Sequence, residues 1–293
     1  MDPRLPPDFT GFEHRHVTVG RVRLHYVEGG REHGGRPLVL VHGWPQHFGM
    51  WREIAEALVA DHHVIAVDLR GHGWSDAPAG TESYDKRVLA GDLEGFVRAL
   101  GLDRPVLVGH DWGGWTSLLV ASRARVDLAG VVAIAIVAPW TPLPPTDLWR
   151  FAYQAVAGGP LGRFAHRHFG QRFLRTVFAL GAGKAPKLTD TETYLERFRN
   201  PARAAAGTAM YRSFLLHEMP IAGTPKYAEP VTELPILLLP GRHDAILTPR
   251  LVTRAARTPN IEVEVIEDAG HWVPEQRPHV VVEKVRWFLG GLD

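Results

Sequence analysis

The segment Gly109-His110-Asp111-Trp112-Gly113-Gly114 sets one carboxylate among small residues, directly after an apolar run at 105–108 and directly before helical spacing over 112–122. Small residues there permit the sharp strand-to-helix turn of the G-x-S-x-G kind, with aspartate where serine usually stands. Such a turn lifts one side chain to a helix N-terminus, whose amides point at developing negative charge. Asp111 is the candidate nucleophile, although an aspartate at a helix start is also an ordinary cap. Two more segments end apolar runs in the same way: Gly241-Arg242-His243-Asp244 follows 236–240, and Gly270-His271-Trp272 follows 261–266. Either residue alone reads as structural, since the chain has 16 histidines and many loop carboxylates. Jointly, Asp111, Asp244 and His271 stand in the chain order nucleophile, acid, histidine, each just past a strand. His42-Gly43-Trp44-Pro45, after the run 37–41, offers the Trp44 amide beside that of Trp112 as an oxyanion hole, with a cis Trp44–Pro45 bond expected.

Those strand ends have to meet along one edge of a sheet. Short β-branched runs alternating with amphipathic segments supply it, as an α/β fold with a mostly parallel sheet under helices. Runs at 14–19 and 21–27 meet at Gly20 as an antiparallel edge hairpin, and 37–41, 64–68, 105–109, 131–137, 236–240 and 261–266 read as strands covered on both faces. Helical spacing occupies 48–60, 84–100, 112–122, 251–257 and 280–289. About ninety residues separate Val137 from Ile236, far more than a crossover needs. PWTPLPP opens this insertion and PIAGTPKYAEP closes it, with helices expected at 146–156, at 161–180, from a capping box at Thr189 and Glu192, and at 201–217. The expected division is a core of residues 1–140 and 229–293 carrying a helical cap of residues 141–228.

Composition narrows the chemistry further. With 33 basic and 32 acidic side chains scattered singly, the chain has no stripe for a phosphate backbone and no polybasic membrane cluster. Zero cysteine excludes thiolate catalysis, disulfides and cysteine metal sites. The opening residues lack a signal-peptide pattern and the longest apolar stretch, 128–139, is too short to span a bilayer, so a cytoplasmic protein is expected. The pairs His14/His16, His62/His63 and His166/His168 fit no H-E-x-x-H pattern, and neither metal nor cofactor is expected. His166 and His168 fall in the insertion, where one of them could face substrate; a homodimer stays open.

With HGWPQ at 42–46, RGHGWSD at 70–76, GHDWGG at 109–114, GRHDAILTP at 241–249 and AGHW at 269–272, the chain from about Val17 onward resembles an α/β-hydrolase of the epoxide hydrolase branch. The resemblance implies an eight-stranded, mostly parallel sheet with an inserted helical cap. It also implies two cap tyrosines that hold an epoxide oxygen. Tyr153 and Tyr211 match those positions; Tyr194 and Tyr227 match less well. The implied reaction converts a small apolar epoxide and water into a vicinal diol through an alkyl ester of Asp111, which water activated by His271 and Asp244 hydrolyses. Detoxification is the implied role, and His42, Trp44, Trp112, Trp149, Phe214 and Trp272 are the expected substrate contacts. A haloalkane dehalogenase shares the aspartate ester but needs no paired phenols. A fluoroacetate dehalogenase needs arginines where this chain has Trp112 and Trp115, and Ser75, Ser117, Ser122 and Ser213 all lie outside the elbow a serine esterase requires. A non-catalytic receptor on the same fold would leave the pocket inert.

Overall fold

Burial on both faces explains the central strands. β1 (Glu13–Val19) and β2 (Val22–Gly29) form the edge hairpin. Beyond it β3 (Leu38–Val41), β4 (Val64–Val67), β5 (Val106–His110), β6 (Gly130–Ile134) and β7 (Ile236–Leu239) are buried at every residue, so no in-out alternation survives in their sequences. β8 (Ile261–Val263) closes the other edge. The order of the eight-stranded sheet is β1-β2-β4-β3-β5-β6-β7-β8, parallel from β4 onward. This computed structural model describes residues 6–168, 171–188 and 190–292. None of the helices among them is long and apolar enough to cross a membrane.

Two expected strands are shorter than their apolar runs. β6 stops at Ile134 because Ala135 turns to a left-handed φ of 49°, and β8 pairs only to Val263, the run resuming as a single bridge between Gly241 and Ile266. The register places Val41 of β3 opposite Gly109 of β5, which brings the loop after β3 alongside the turn after β5. α1 (Arg52–Leu58) follows a 3-10 turn at Phe48–Trp51, while α2 (Lys86–Ala99) packs on α3 (Trp112–Arg123).

Between β6 and β7 a 3-10 segment, Pro145–Phe151, leads into α4 (Ala152–Gly158), α5 (Gly162–Arg167), α6 (Arg172–Ala182), α7 (Glu192–Phe198) and α8 (Pro201–Ser213). The helix expected over 161–180 is thus two helices, with Gln171 left-handed at the start of the second and its side-chain amide donating to Leu195 O at 2.6 Å. Thr189 lies outside the described residues; α7 starts after Thr191, whose side chain makes no capping bond. α8 begins as expected with Pro201 in its first turn and Asn200 as cap, then ends in a π-turn, Phe214–Glu218. Small residues set how closely its neighbours approach: a Cβ on Gly158 would stand 2.7 Å from the Arg212 amide nitrogen, and one on Gly162 2.8 Å from Thr208. The chain finishes with the short α9 (Pro249–Val252) and α10 (Val273–Gln276) and with α11 (Pro278–Gly290), which packs on α1.

Packing makes opposite predictions for two helical glycines. A Cβ on Gly113 would stand 2.2 Å from Val41 O, a main-chain atom that cannot swing aside, whereas one on Gly91 of α2 meets nothing within 4 Å. Gly113→Ala is expected to cost about 3 kcal/mol or more, and Gly91→Ala to add roughly 0.5–1 kcal/mol by stiffening the helix. Urea unfolding midpoints of the two variants measure both.

Candidate active site

The turn after β5 holds Asp111 at φ 50°, ψ −125°, a conformation that costs a non-glycine residue of order 1–3 kcal/mol. Main chains close around it. A Cβ on Gly109 would stand 2.6 Å from Gly113, and one on Gly43 2.4 Å from the Asp111 Cβ, so only glycine fits either place. That crowding delivers the Trp44 amide, which donates to Asp111 Oδ2 at 3.0 Å, with the Trp112 amide as a second donor to the carboxylate. The Trp44–Pro45 peptide is cis. Oδ2 thus takes the Trp44 amide, where charge on that oxygen would be stabilised, and Oδ1 faces His271 Nε2 at 3.7 Å.

His271 stands between two carboxylates. Its Nδ1 bonds Asp244 Oδ2 at 2.8 Å, and Asp244 Oδ1 accepts from the amides of Ile246 and Leu247 at 2.8 and 2.9 Å. His110 Nε2 donates to His271 O at 2.9 Å and fixes the loop. Burial alone would discharge the imidazole, but the charge of Asp244 and the nearby Asp111 carboxylate raise it to about 10. For Asp111, burial pulls upward and the bond and charge of His271 outweigh it, leaving the carboxyl below its ordinary range. The arrangement is a carboxylate, an imidazolium and a second carboxylate.

Tyr153 of α4 and Tyr211 of α8 bring their hydroxyls to 3.4 Å of each other, with the Tyr211 ring 4.8 Å from that of Trp44 and 5.9 Å from that of Trp112. Burial first, then neighbouring negative charge, lifts both phenols well above 10, so both keep their protons. Asp111, Trp112, Tyr153 and Phe214 line one cavity of about 40 Å³, whose walls are otherwise Trp115, Gln154 and aliphatic or aromatic side chains including Phe151, Ile136 and Leu247. A broader cleft of about 1040 Å³, lined by His47, Trp74, Tyr194, Arg197 and Glu275, contains none of the triad.

Three expected substrate contacts do not line the cavity. His42 is fully buried, donating through Nδ1 to Gly43 O and accepting at Nε2 from the Leu69 amide, so its ring braces two loops. Trp272 donates to Phe178 O at 2.9 Å and packs against α6. Trp149 is 67% exposed under the Arg150 guanidinium, because the 3-10 segment turns its ring outward. Trp44 contributes its amide and its ring face, but its indole nitrogen lies against Gly207, where a Cβ would be 3.0 Å away. His166 is buried behind Trp44 and bonded to Thr208, while His168 stacks on the exposed Phe164. Tyr194 bonds Glu275 at 2.7 Å in the broad cleft.

Sequence reasoning missed a support beneath the cavity. Lys86 at the start of α2, fully buried, reaches Glu218 Oε1 at 3.2 Å and Met210 O at 2.9 Å, with its ammonium 4.4 Å from the Trp112 ring. Glu218 also accepts from Tyr227 at 2.6 Å, and Tyr227 from the Trp115 indole at 3.1 Å. The pair spans 132 positions, so no local pattern in the sequence signals it.

Because folding raises His271 from 6.5 to about 10, the folded state takes up a proton. Its contribution to stability is full below about pH 6.5 and drains away as pH rises towards 10. Asp111→Asn removes one of the two charges responsible. The His271 resonance, followed by nitrogen-15 NMR, is expected to titrate at least one unit lower in the variant than in the parent, and the alkaline loss of stability to become shallower. An unchanged titration would mean that Asp111 does not govern the imidazole.

The model of the alpha/beta hydrolase fold family matches residues 36–278. Epoxide hydrolase A of Mycobacterium tuberculosis is 31% identical over 325 aligned positions, covering 95% of this chain and 98% of its own. The soluble epoxide hydrolase of a Corynebacterium species is 29% identical, covering 97% and 99%. The ligand-free structure of the epoxide hydrolase CorEH superposes with a TM-score of 0.81 at 26% identity, over 96% of this chain and all of the other. Sheet order, elbow and matched family agree: the chain belongs to the α/β-hydrolase superfamily, in its epoxide hydrolase branch.

Proposed function

We propose that this protein is an epoxide hydrolase that opens an apolar epoxide to a vicinal diol through an ester of Asp111. The observation that carries the reading is the pair of protonated phenols, 3.4 Å apart, where Tyr153 shares a cavity with a carboxylate held in an oxyanion-hole geometry. Residues 141–228 act as the cap that brings the phenols over the core. Asp111 Oδ1 attacks one oxirane carbon, that carbon's bond to oxygen breaks, and a phenol gives its proton to the departing alkoxide. Oδ2 becomes the ester carbonyl, already bonded by the Trp44 amide, with the Trp112 amide a second donor to the same carboxyl group.

Esterification also removes one of the two negative charges that hold the His271 proton. With only Asp244 left beside it, the imidazole gives up that proton more easily, which makes good the one the phenol lost, and serves as base for the water that attacks the Asp111 carboxyl carbon. The tetrahedral oxyanion forms on Oδ2 and collapses; the departing diol oxygen takes the proton His271 drew from water, and the proton left on the new carboxyl returns to His271. The haloalkane dehalogenase reading draws on the Trp112 indole N–H, which has no hydrogen-bond partner among the described residues. It ranks second because the Trp44 indole N–H sits against Gly207, and because paired phenols have no task in displacing a halide.

Three variants test the scheme. His271→Gln is expected to form the ester and stall, so intact-protein mass spectrometry after epoxide addition finds Asp111 carrying the substrate mass; an unmodified Asp111 peptide would falsify the covalent route. Tyr153→Phe and Tyr211→Phe each delete one donor while keeping the ring, and each is expected to slow alkylation by roughly 10–1000-fold. Stopped-flow tryptophan fluorescence reads that step. Parent rates in both, with bromide release from a bromoalkane intact, would put the dehalogenase reading first.

A further inference from the structure

The cavity wall carries a side-chain amide that the proposed reaction leaves unused. Gln154, next to Tyr153 on α4, is 3% exposed and lines the cavity with Asp111 and Tyr153. Its amide end faces the Tyr153 hydroxyl. Its Oε1 has no hydrogen-bond partner among the described residues. A buried amide oxygen left without a donor costs about 1–3 kcal/mol, and helix α4 could have carried an aliphatic side chain there, as Ile136, Val137, Leu143 and Leu247 do around it.

Resting on the reading above, we propose that Gln154 Oε1 is a specificity determinant that accepts a hydrogen bond from the substrate, and that the preferred epoxides carry a donor, a hydroxyl or N–H, on the arm beside the oxirane. Adjacency decides where that donor lies. Tyr153 holds the ring oxygen, and Gln154 is the next residue on the same helix, so the two contacts address neighbouring parts of one molecule. An arm ending in a methyl leaves the oxygen unpaired in the closed site, and a site built around a hydrogen bond discriminates more steeply than an apolar wall does.

The test compares three aryl epoxides of matched shape: phenylglycidol, β-methylstyrene oxide, which has a methyl in place of the hydroxymethyl group, and the methyl ether of phenylglycidol. The parent is expected to favour phenylglycidol over both others by roughly 10–100-fold in kcat/KM. In Gln154→Leu that preference should fall to about threefold or less, through loss on phenylglycidol alone, with β-methylstyrene oxide turned over at the parent rate or faster. Gln154→Met repeats the measurement if the branched side chain disturbs folding. Equal parent rates on alcohol and hydrocarbon, or a Gln154→Leu variant that slows all three alike, would overturn the inference. A preference for the methyl ether would do so as well, since the amide would then be presenting its N–H. If the parent opens none of the three, the hydrolase reading fails instead. The inference is then decided by binding: quenching of tryptophan fluorescence by phenylglycerol should exceed that by the deoxy diol about tenfold in affinity, in the parent and not in Gln154→Leu.

Discussion

The site depends on a steric constraint: the chain must reverse from β5 into α3 within one residue, and that residue is not a glycine. Asp111 at φ 50° is tolerated because its surroundings leave no alternative. Gly109, Gly113 and Gly43 let three stretches of main chain come closer than any side chain would allow. Two amides aimed at Asp111 follow from the same crowding. The proposed oxyanion hole is a by-product of how tightly β3, β5 and α3 converge, and it carries no side-chain entropy to be lost when charge appears.

Charge is distributed around this turn with the same economy. Asp111, His271 and Asp244 form an alternating row, each nine-tenths buried or more, so neutralising any one member shifts the proton affinity of its neighbour. A separate buried pair, Lys86 with Glu218, holds the floor under Trp112 and Trp115 without entering that row. Removing one partner from such a pair typically costs 3–5 kcal/mol. It therefore ties α2 of the core to the end of α8 firmly.

Legibility in the sequence followed locality. Asp111, Asp244 and His271 could be read because each ends an apolar strand, and Tyr153 and Tyr211 because a resemblance assigned them. His42, Trp149 and Trp272 misled because nearness in sequence to the elbow, the insertion or His271 says nothing about direction: a ring may turn to a main-chain partner, as His42 and Trp272 do, or to solvent, as Trp149 does. Helix 161–180 split at Gln171, whose side chain bonds Leu195 from a distant helix, a tertiary preference with no periodic signal. Lys86 and Glu218 were invisible for the same reason. Gln154 was passed over because a single glutamine on an amphipathic helix usually faces water.

The cavity at Asp111 measures about 40 Å³, room for a few water molecules, whereas pockets that enclose small ligands run to roughly 300–1000 Å³. A ligand larger than a few water molecules needs the wall to widen. Glu218 is clamped to Lys86, so the end of α8 is the fixed point, and displacement falls to α4 and the 3-10 segment before it, where Leu148 and Trp149 are already exposed. In the proposed reaction, entry of a substrate would widen this wall, and the rate of that widening would enter turnover alongside the making and breaking of bonds.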